Sequence, residues 1–75
     1  MSLDALLPGQ SARVVAIRGG RGVSLRLMQL GIVPGASVRV VGRGPFRGPI
    51  LVEVNGSQVA LGPGIARKVL VVPYA

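Results

Sequence analysis

The ionisable and nucleophilic side chains of this 75-residue sequence are few: Asp4, Glu53, Lys68, Tyr74, eight arginines and five serines, with no histidine and no cysteine. A serine becomes a nucleophile only beside a base, and no histidine is available to any of them. The two carboxylates stand far apart in the chain and make a poor general acid–base pair or hard-cation site. We therefore expect no catalytic residue, no metal site and no cofactor. The glycine-rich stretches GGRG and GRGPFRG are not followed by the Lys-Ser or Lys-Thr that completes a phosphate-binding loop. Their glycines read as turns and barrel corners.

What remains is arginine chemistry. Nine basic residues oppose two acidic ones, a formal charge of +7, which draws nucleic acid, an anionic membrane surface or an acidic protein face. Arg18, Arg21 and Arg26 gather near one glycine loop, Arg43 and Arg47 near a second, and Arg67 stands with Lys68 towards the end. A planar guanidinium grips carboxylates and phosphates with paired hydrogen bonds, which a lysine cannot do. Phe46 sits between Pro45 and Arg47. It either packs back over the barrel mouth or stands out beside Arg47 as an aromatic anchor. The candidate partner-contact residues are Leu25, Arg26, Met28, Arg43, Phe46 and Arg47.

The elements that must position these residues are short. LDALLPG reads as a capped turn in which Asp4 accepts from nearby backbone N–H groups. QSARVVAI is a first strand by its β-branched content, and RGGRG, residues 18–22, is too glycine-rich for regular structure. VSLRLMQL is a short helix with Val23, Leu27 and Leu30 along one stripe. Leu25 and Met28 lie off that stripe, as an exposed apolar strip open to a partner. Gly31 then stands where a left-handed helix terminator belongs, with Ile32 packing back on Leu27.

Pro34-Gly35 suits a type II turn, and from Ser37 a strand follows with Val38 and Val40 on one face. GRGPFRGP, residues 42–49, is a loop. ILVEV and SQVAL are strands joined by Asn55-Gly56, the strongest two-residue hairpin signal. GPGIARK makes one helical turn, VLVV a last strand, and PYA trails. PGQSARVV and PGASVRVV echo one another, read as one turn chemistry used twice.

A chain of this length makes one domain, residues 1–75, and buries only about 60% of its unfolded surface. Five short strands with one helix between the first and second describe a mainly β, small, closed or nearly closed SH3-like barrel. Mean hydropathy is +0.61, yet no apolar run approaches the ~20 residues of a membrane span. MSLDALLPG lacks the basic start of a signal peptide, and the absence of cysteine fits a reducing compartment. The sequence reads as soluble and intracellular.

The blocks LLPGQSARVVAI, RLMQLGIVPGASVRVV, GPILVEVNGSQVAL and ARKVLVV resemble, in order, those of the FeoA family, from about Leu3 to Val72. The most specific part is Leu27, Leu30, Gly31, Pro34 and Gly35, followed by the VNG...VAL hairpin and Ala66. The resemblance implies an SH3-like barrel and a cytoplasmic accessory role in ferrous iron uptake. The implied partner is the large membrane GTP-binding iron transporter, through which the protein would be membrane-associated, and iron itself is not carried. Related domains form the C-terminal part of metal-dependent repressors, a role that would need a DNA-binding helix-turn-helix ahead of the domain and is not expected here. Two positions depart from the family pattern: Arg47-Gly48, where an acidic residue is common, and Gly62, where arginine is common.

Two functions from different classes follow. The first is an adaptor that docks by protein–protein contact on the transporter's cytoplasmic part, with self-association a further option. The second is a small basic barrel that binds nucleic acid, weakened by having only Phe46 and Tyr74 for base stacking. Peripheral membrane attachment ranks last, for want of a basic amphipathic helix.

Overall fold

The computed structural model describes residues 1–75. A single 3-10 turn at Leu3–Ala5 precedes β1 (Ser11–Ile17), α1 (Gly20–Gln29) and β2 (Ser37–Arg43). Then come β3 (Ile50–Val54), β4 (Ser57–Leu61), the one-turn helix α2 (Pro63–Ala66) and β5 (Val69–Pro73). The strands form one antiparallel sheet in the order β4-β3-β2-β1-β5. Register shifts between Val14 and Ala16, and between Val40 and Gly42, bend β1 and β2, as bulges do. The sheet thereby curls around one aliphatic core.

Alternation selects that core. Ala12 and Val14, Val38 and Val40, Ile50, Val52 and Val54, and Val69 and Val71 all point inward and are buried, two residues apart along each strand. Leu3 and Leu6 from the N-terminal turn, Leu27 from α1, and Ile32 and Ala66 complete it. No polar or charged residue is buried, so the interior carries no unpaired polar group to offset.

The joint between α1 and β2 is a Schellman ending. Ile32 N donates to Leu27 O and Gly31 N to Met28 O, both at 2.9 Å, with Gly31 at φ 85. A side chain there would be strained, and its Cβ would also lie 2.6 Å from Asn55 Nδ2. The helix end and the β3–β4 hairpin turn are thus seated against each other. Asn55-Gly56 takes positive φ at both positions, the signature of a type I′ hairpin turn.

The repeated Pro-Gly segments have a geometric meaning. Gln10 N donates to Leu7 O and Ala36 N to Val33 O, closing equivalent turns. Gly9 N then donates to Val40 O while Gly35 N donates to Val14 O, each at 2.7 Å. The two segments pair with each other across β1 and β2 about a local two-fold, so one turn chemistry brackets both ends of one ladder.

Four local expectations are corrected. Residues 20–22 are not loop: α1 starts at Gly20. Its N-cap, Gly19, makes no side-chain hydrogen bond. Packing of Val23 and Leu27 against the core outweighs the poor propensity of Gly20 and Gly22. Gly42 and Arg43 belong to β2, paired with Leu51 and Ile50. Asp4 does not cap; it accepts from the Ser2 hydroxyl, and the 3-10 turn has no side-chain cap bond. Tyr74 does not trail: its N–H donates to Ser11 O and its hydroxyl lies 2.6 Å from Ser37 Oγ.

Neither sheet edge is closed by the other, since β4 and β5 end the strand order. The β5 edge is partly covered, because Ser2 bridges Leu70 and Val71 N donates to Met1 O. The β4 edge has no such cover. It faces the first of the surfaces described next.

Candidate functional site

Three surface features gather around α1, α2 and the β2–β3 turn. The first is an apolar groove of about 510 Å³ between α1 and β4, floored by Leu27 and walled by Leu30, Val59, Leu61 and Ile65. Arg26 and Gln29 form its polar rim. Leu30 was expected in the core by its helical spacing, yet it is 38% exposed. The reason is that α1 fully buries only Leu27, and Leu30, its C-cap residue, stands one turn further on, over the groove. Val59 and Ile65 have no signal in the sequence: each is an ordinary aliphatic residue in a short element, and only the fold brings them to Leu30.

Leu25 and Met28 project from α1 away from that groove and are 45% and 53% exposed. They form an outward apolar strip, as their offset from Leu27 on the helical wheel requires.

The second feature is the β2–β3 turn. Gly48 N donates to Pro45 O at 3.0 Å and Gly44 N to Pro49 O at 2.8 Å, closing a tight loop. Phe46 and Arg47 occupy its two central positions at φ 56 and φ 58. These are the φ signs of a type I′ turn, which glycine and asparagine normally fill. A bulky residue held there costs on the order of 1 kcal/mol or more. The Phe46 ring is 100% exposed, so it does not pack back over the barrel mouth.

The third feature is a basin of about 480 Å³ lined by Asp4, Arg43, Arg47, Pro63 and Arg67, four charged residues and one proline. Arg43 Nη2 donates to the carbonyl oxygens of Asp4 and Leu6, the latter at 2.8 Å. That guanidinium therefore ties the end of β2 to the N-terminal turn. The one ion pair of the molecule lies elsewhere, Arg39 to Glu53 at 3.5 Å across β2 and β3. Arg67 and Lys68, neighbours in sequence, diverge: Lys68 lies against Gly19 at the start of α1.

The six candidate contact residues thus do not converge on one spot. Leu25 and Met28 share the outer face of α1, Arg26 joins the groove, Arg43 and Arg47 line the basin, and Phe46 crowns the turn between β2 and β3. The one-turn helix α2 separates groove from basin, with Gly62 and Ile65 on one side and Pro63 and Arg67 on the other.

Comparison with known proteins settles the family. The FeoA domain matches residues 1–73. The chain belongs to the FeoA family. A Methanocaldococcus jannaschii protein named provisionally as Fe(2+) transport protein A is 33% identical over 63 residues, covering 84% of this chain and 74% of that protein. The crystal structure of an iron uptake regulatory protein, FeoA, superposes with a TM-score of 0.91 at 34% identity, covering 99% of this chain and 96% of that one. The Stenotrophomonas maltophilia FeoA crystal structure, complexed with zinc, gives a TM-score of 0.81 at 34% identity over 96% of this chain and 89% of that chain. That protein is described as a procaryotic SH3 domain protein and a candidate activating factor of bacterial ferrous iron transport.

The FeoA assignment places the chain among transport-related proteins with an SH3-like fold. No group of three or more His, Cys, Asp or Glu side chains comes together. Asp4 is engaged by Ser2, and Glu53 by Arg39. No helix is long and apolar enough to cross a membrane. Arg47 and Gly62, singled out in the sequence, line the basin and the groove respectively.

Proposed function

We propose that this FeoA protein is a regulatory adaptor of ferrous iron uptake, docking on the cytoplasmic part of a membrane GTP-binding iron transporter and binding one of its conformations more tightly than another. A ligand shifts such an equilibrium only by its difference in affinity for the two states. The observation that carries the reading is Phe46: a phenyl ring wholly exposed on a turn whose backbone is strained to present it. Strain retained at a surface position points to a use for that position. An exposed aromatic flanked by arginine is the side-chain combination that dominates protein interfaces. Leu25 and Met28 extend the same contact chemistry along α1.

Nucleic acid binding has the charge of +7 behind it but not the aromatics. Only two rings are exposed, Phe46 and Tyr74, and Tyr74 is tethered to Ser37 and to the β1 backbone.

The test is capture of the transporter, identified by mass spectrometry, from gently solubilised membranes by tagged wild type and by Phe46→Ser and Met28→Ser. Moving one phenyl from water into a partner contributes about 2 kcal/mol, so Phe46→Ser weakens capture about 30-fold. Both melting temperatures stay near wild type, because neither side chain is in the core. Capture unchanged by both variants, or replaced by nuclease-sensitive nucleic acid, sinks the adaptor reading.

A further inference from the structure

We infer that the basin between α2 and the β2–β3 turn is an anion site for a small molecule carrying a diphosphate group. Three arginines from three separate segments line it: Arg43 at the end of β2, Arg47 on the turn and Arg67 just after α2. The one opposing charge is Asp4, whose carboxylate accepts from Ser2 and forms no ion pair with any of them. Three positive charges against one leave a local excess of two.

Arg43 is positioned in advance. Both hydrogens of its Nη2 are accepted by backbone carbonyls. A guanidinium has five N–H donors, so the Nη1 pair and the Nε–H remain without a protein acceptor, on a side chain with little rotamer freedom left to lose. Arg47 and Arg67 have no side-chain hydrogen bond to the protein, and both are exposed. They are free to close on an anion.

Room and lining narrow the ligand class. About 480 Å³ falls within the ~300–1,000 Å³ of small-molecule sites, more room than one oxyanion needs. Apart from the Pro63 ring, every lining side chain is charged. An acidic peptide would bring a backbone and methylenes with only the Pro63 ring and the arginine stems to meet them, whereas a diphosphate is all oxygen on its outer surface and suits forked guanidinium donors. The glycine loops take no part. The basin shares Arg43 and Arg47 with the residues proposed to meet the partner, but its test reads binding by the purified chain alone, so its failure and the failure of the adaptor reading are distinguishable.

The decisive experiment titrates the purified chain with sodium pyrophosphate by calorimetry in ~0.15 M salt, where exposed charges more than about 8 Å apart are largely screened. Arg67→Gln and Arg47→Gln should each weaken binding about tenfold. Arg13→Gln, on β1 and outside the basin, removes one positive charge too and should change affinity less than about twofold. Unaltered thermal melts establish that all three variants are folded. Parallel titrations with orthophosphate, GDP and a hexaglutamate peptide define the ligand. Pyrophosphate above orthophosphate supports the inference; GDP tighter than pyrophosphate assigns the diphosphate to a nucleotide, and equality assigns it to the free anion. Equal losses from Arg13→Gln and Arg67→Gln, no binding at this salt, or tighter binding of the peptide would each overturn it.

Discussion

The two concave surfaces on either side of α2 are of similar size and opposite chemistry. The groove beside α1, about 510 Å³, is built from aliphatic side chains of the core's own margin. The basin, about 480 Å³, is built from charged side chains that reach over from loops and element ends. The first is an extension of folding: Leu27 is both core and groove floor. The second is nearly separable from folding, since only Arg43 makes a bond that the fold uses. One element of four residues therefore divides a surface coupled to stability from one that is largely free of it. An occupant of the groove should be insensitive to salt, and an occupant of the basin strongly sensitive.

The largest effect that separates the two comes from Leu27→Ala. Removing a buried leucine costs the transfer term and leaves a cavity, together about 3 kcal/mol, which is a large share of a small domain's stability. Urea denaturation should show that loss. Any apolar ligand of the groove should be lost with it, while pyrophosphate binding survives as long as the folded fraction does. If both kinds of binding fall together in conditions where the fold is intact, the two surfaces are one site, and the division at α2 is wrong.

How far the sequence foretold this arrangement depends on the range of the interactions involved. The α1 ending, the Pro-Gly turns and the Asn55-Gly56 hairpin are decided by backbone conformations within a few residues, and each is readable from Gly31, Pro34-Gly35 and Asn55-Gly56 themselves. The start of α1 was misread because nothing local favours it; Val23 and Leu27 hold Gly20–Gly22 in the helix through contacts with distant strands. Leu30 was misassigned because periodicity says which face a residue is on, not where its neighbours end. Arg67 was grouped with Lys68 by proximity in the chain, and the turn after α2 parts them. No pattern announces that Arg43 will bond Asp4 and Leu6 carbonyls, because those partners come from the other end of the first half of the chain.

Arg43 sharpens the comparison at its middle scale. Its two hydrogen bonds are charge-assisted but lie at an exposed guanidinium, so Arg43→Gln should cost about 1 kcal/mol. Arg67→Gln, which breaks no bond, should stay within about 0.5 kcal/mol of wild type. Chemical denaturation of the pair distinguishes a positioning arginine from a purely ligand-facing one within the same basin. Equal and negligible costs would mean that the Arg43 carbonyl contacts do not hold the N-terminal turn, and that the basin is looser than described.

The smallest effect has the opposite sign. Phe46→Gly removes a side chain that touches nothing in the molecule and relieves one of two adjacent residues at positive φ. Glycine occupies that region freely but gives back some conformational entropy to the unfolded chain. The net should be a gain of up to about 1 kcal/mol, visible as a melting temperature higher by about 4 °C or more if the full gain is realised. The same variant should fail to capture the transporter. A stabilised protein that no longer docks would mean that the turn is kept strained for what Phe46 does outside the fold. A destabilised one would mean that the ring finds a partner within the chain, and that the exposed aromatic carries no argument about function.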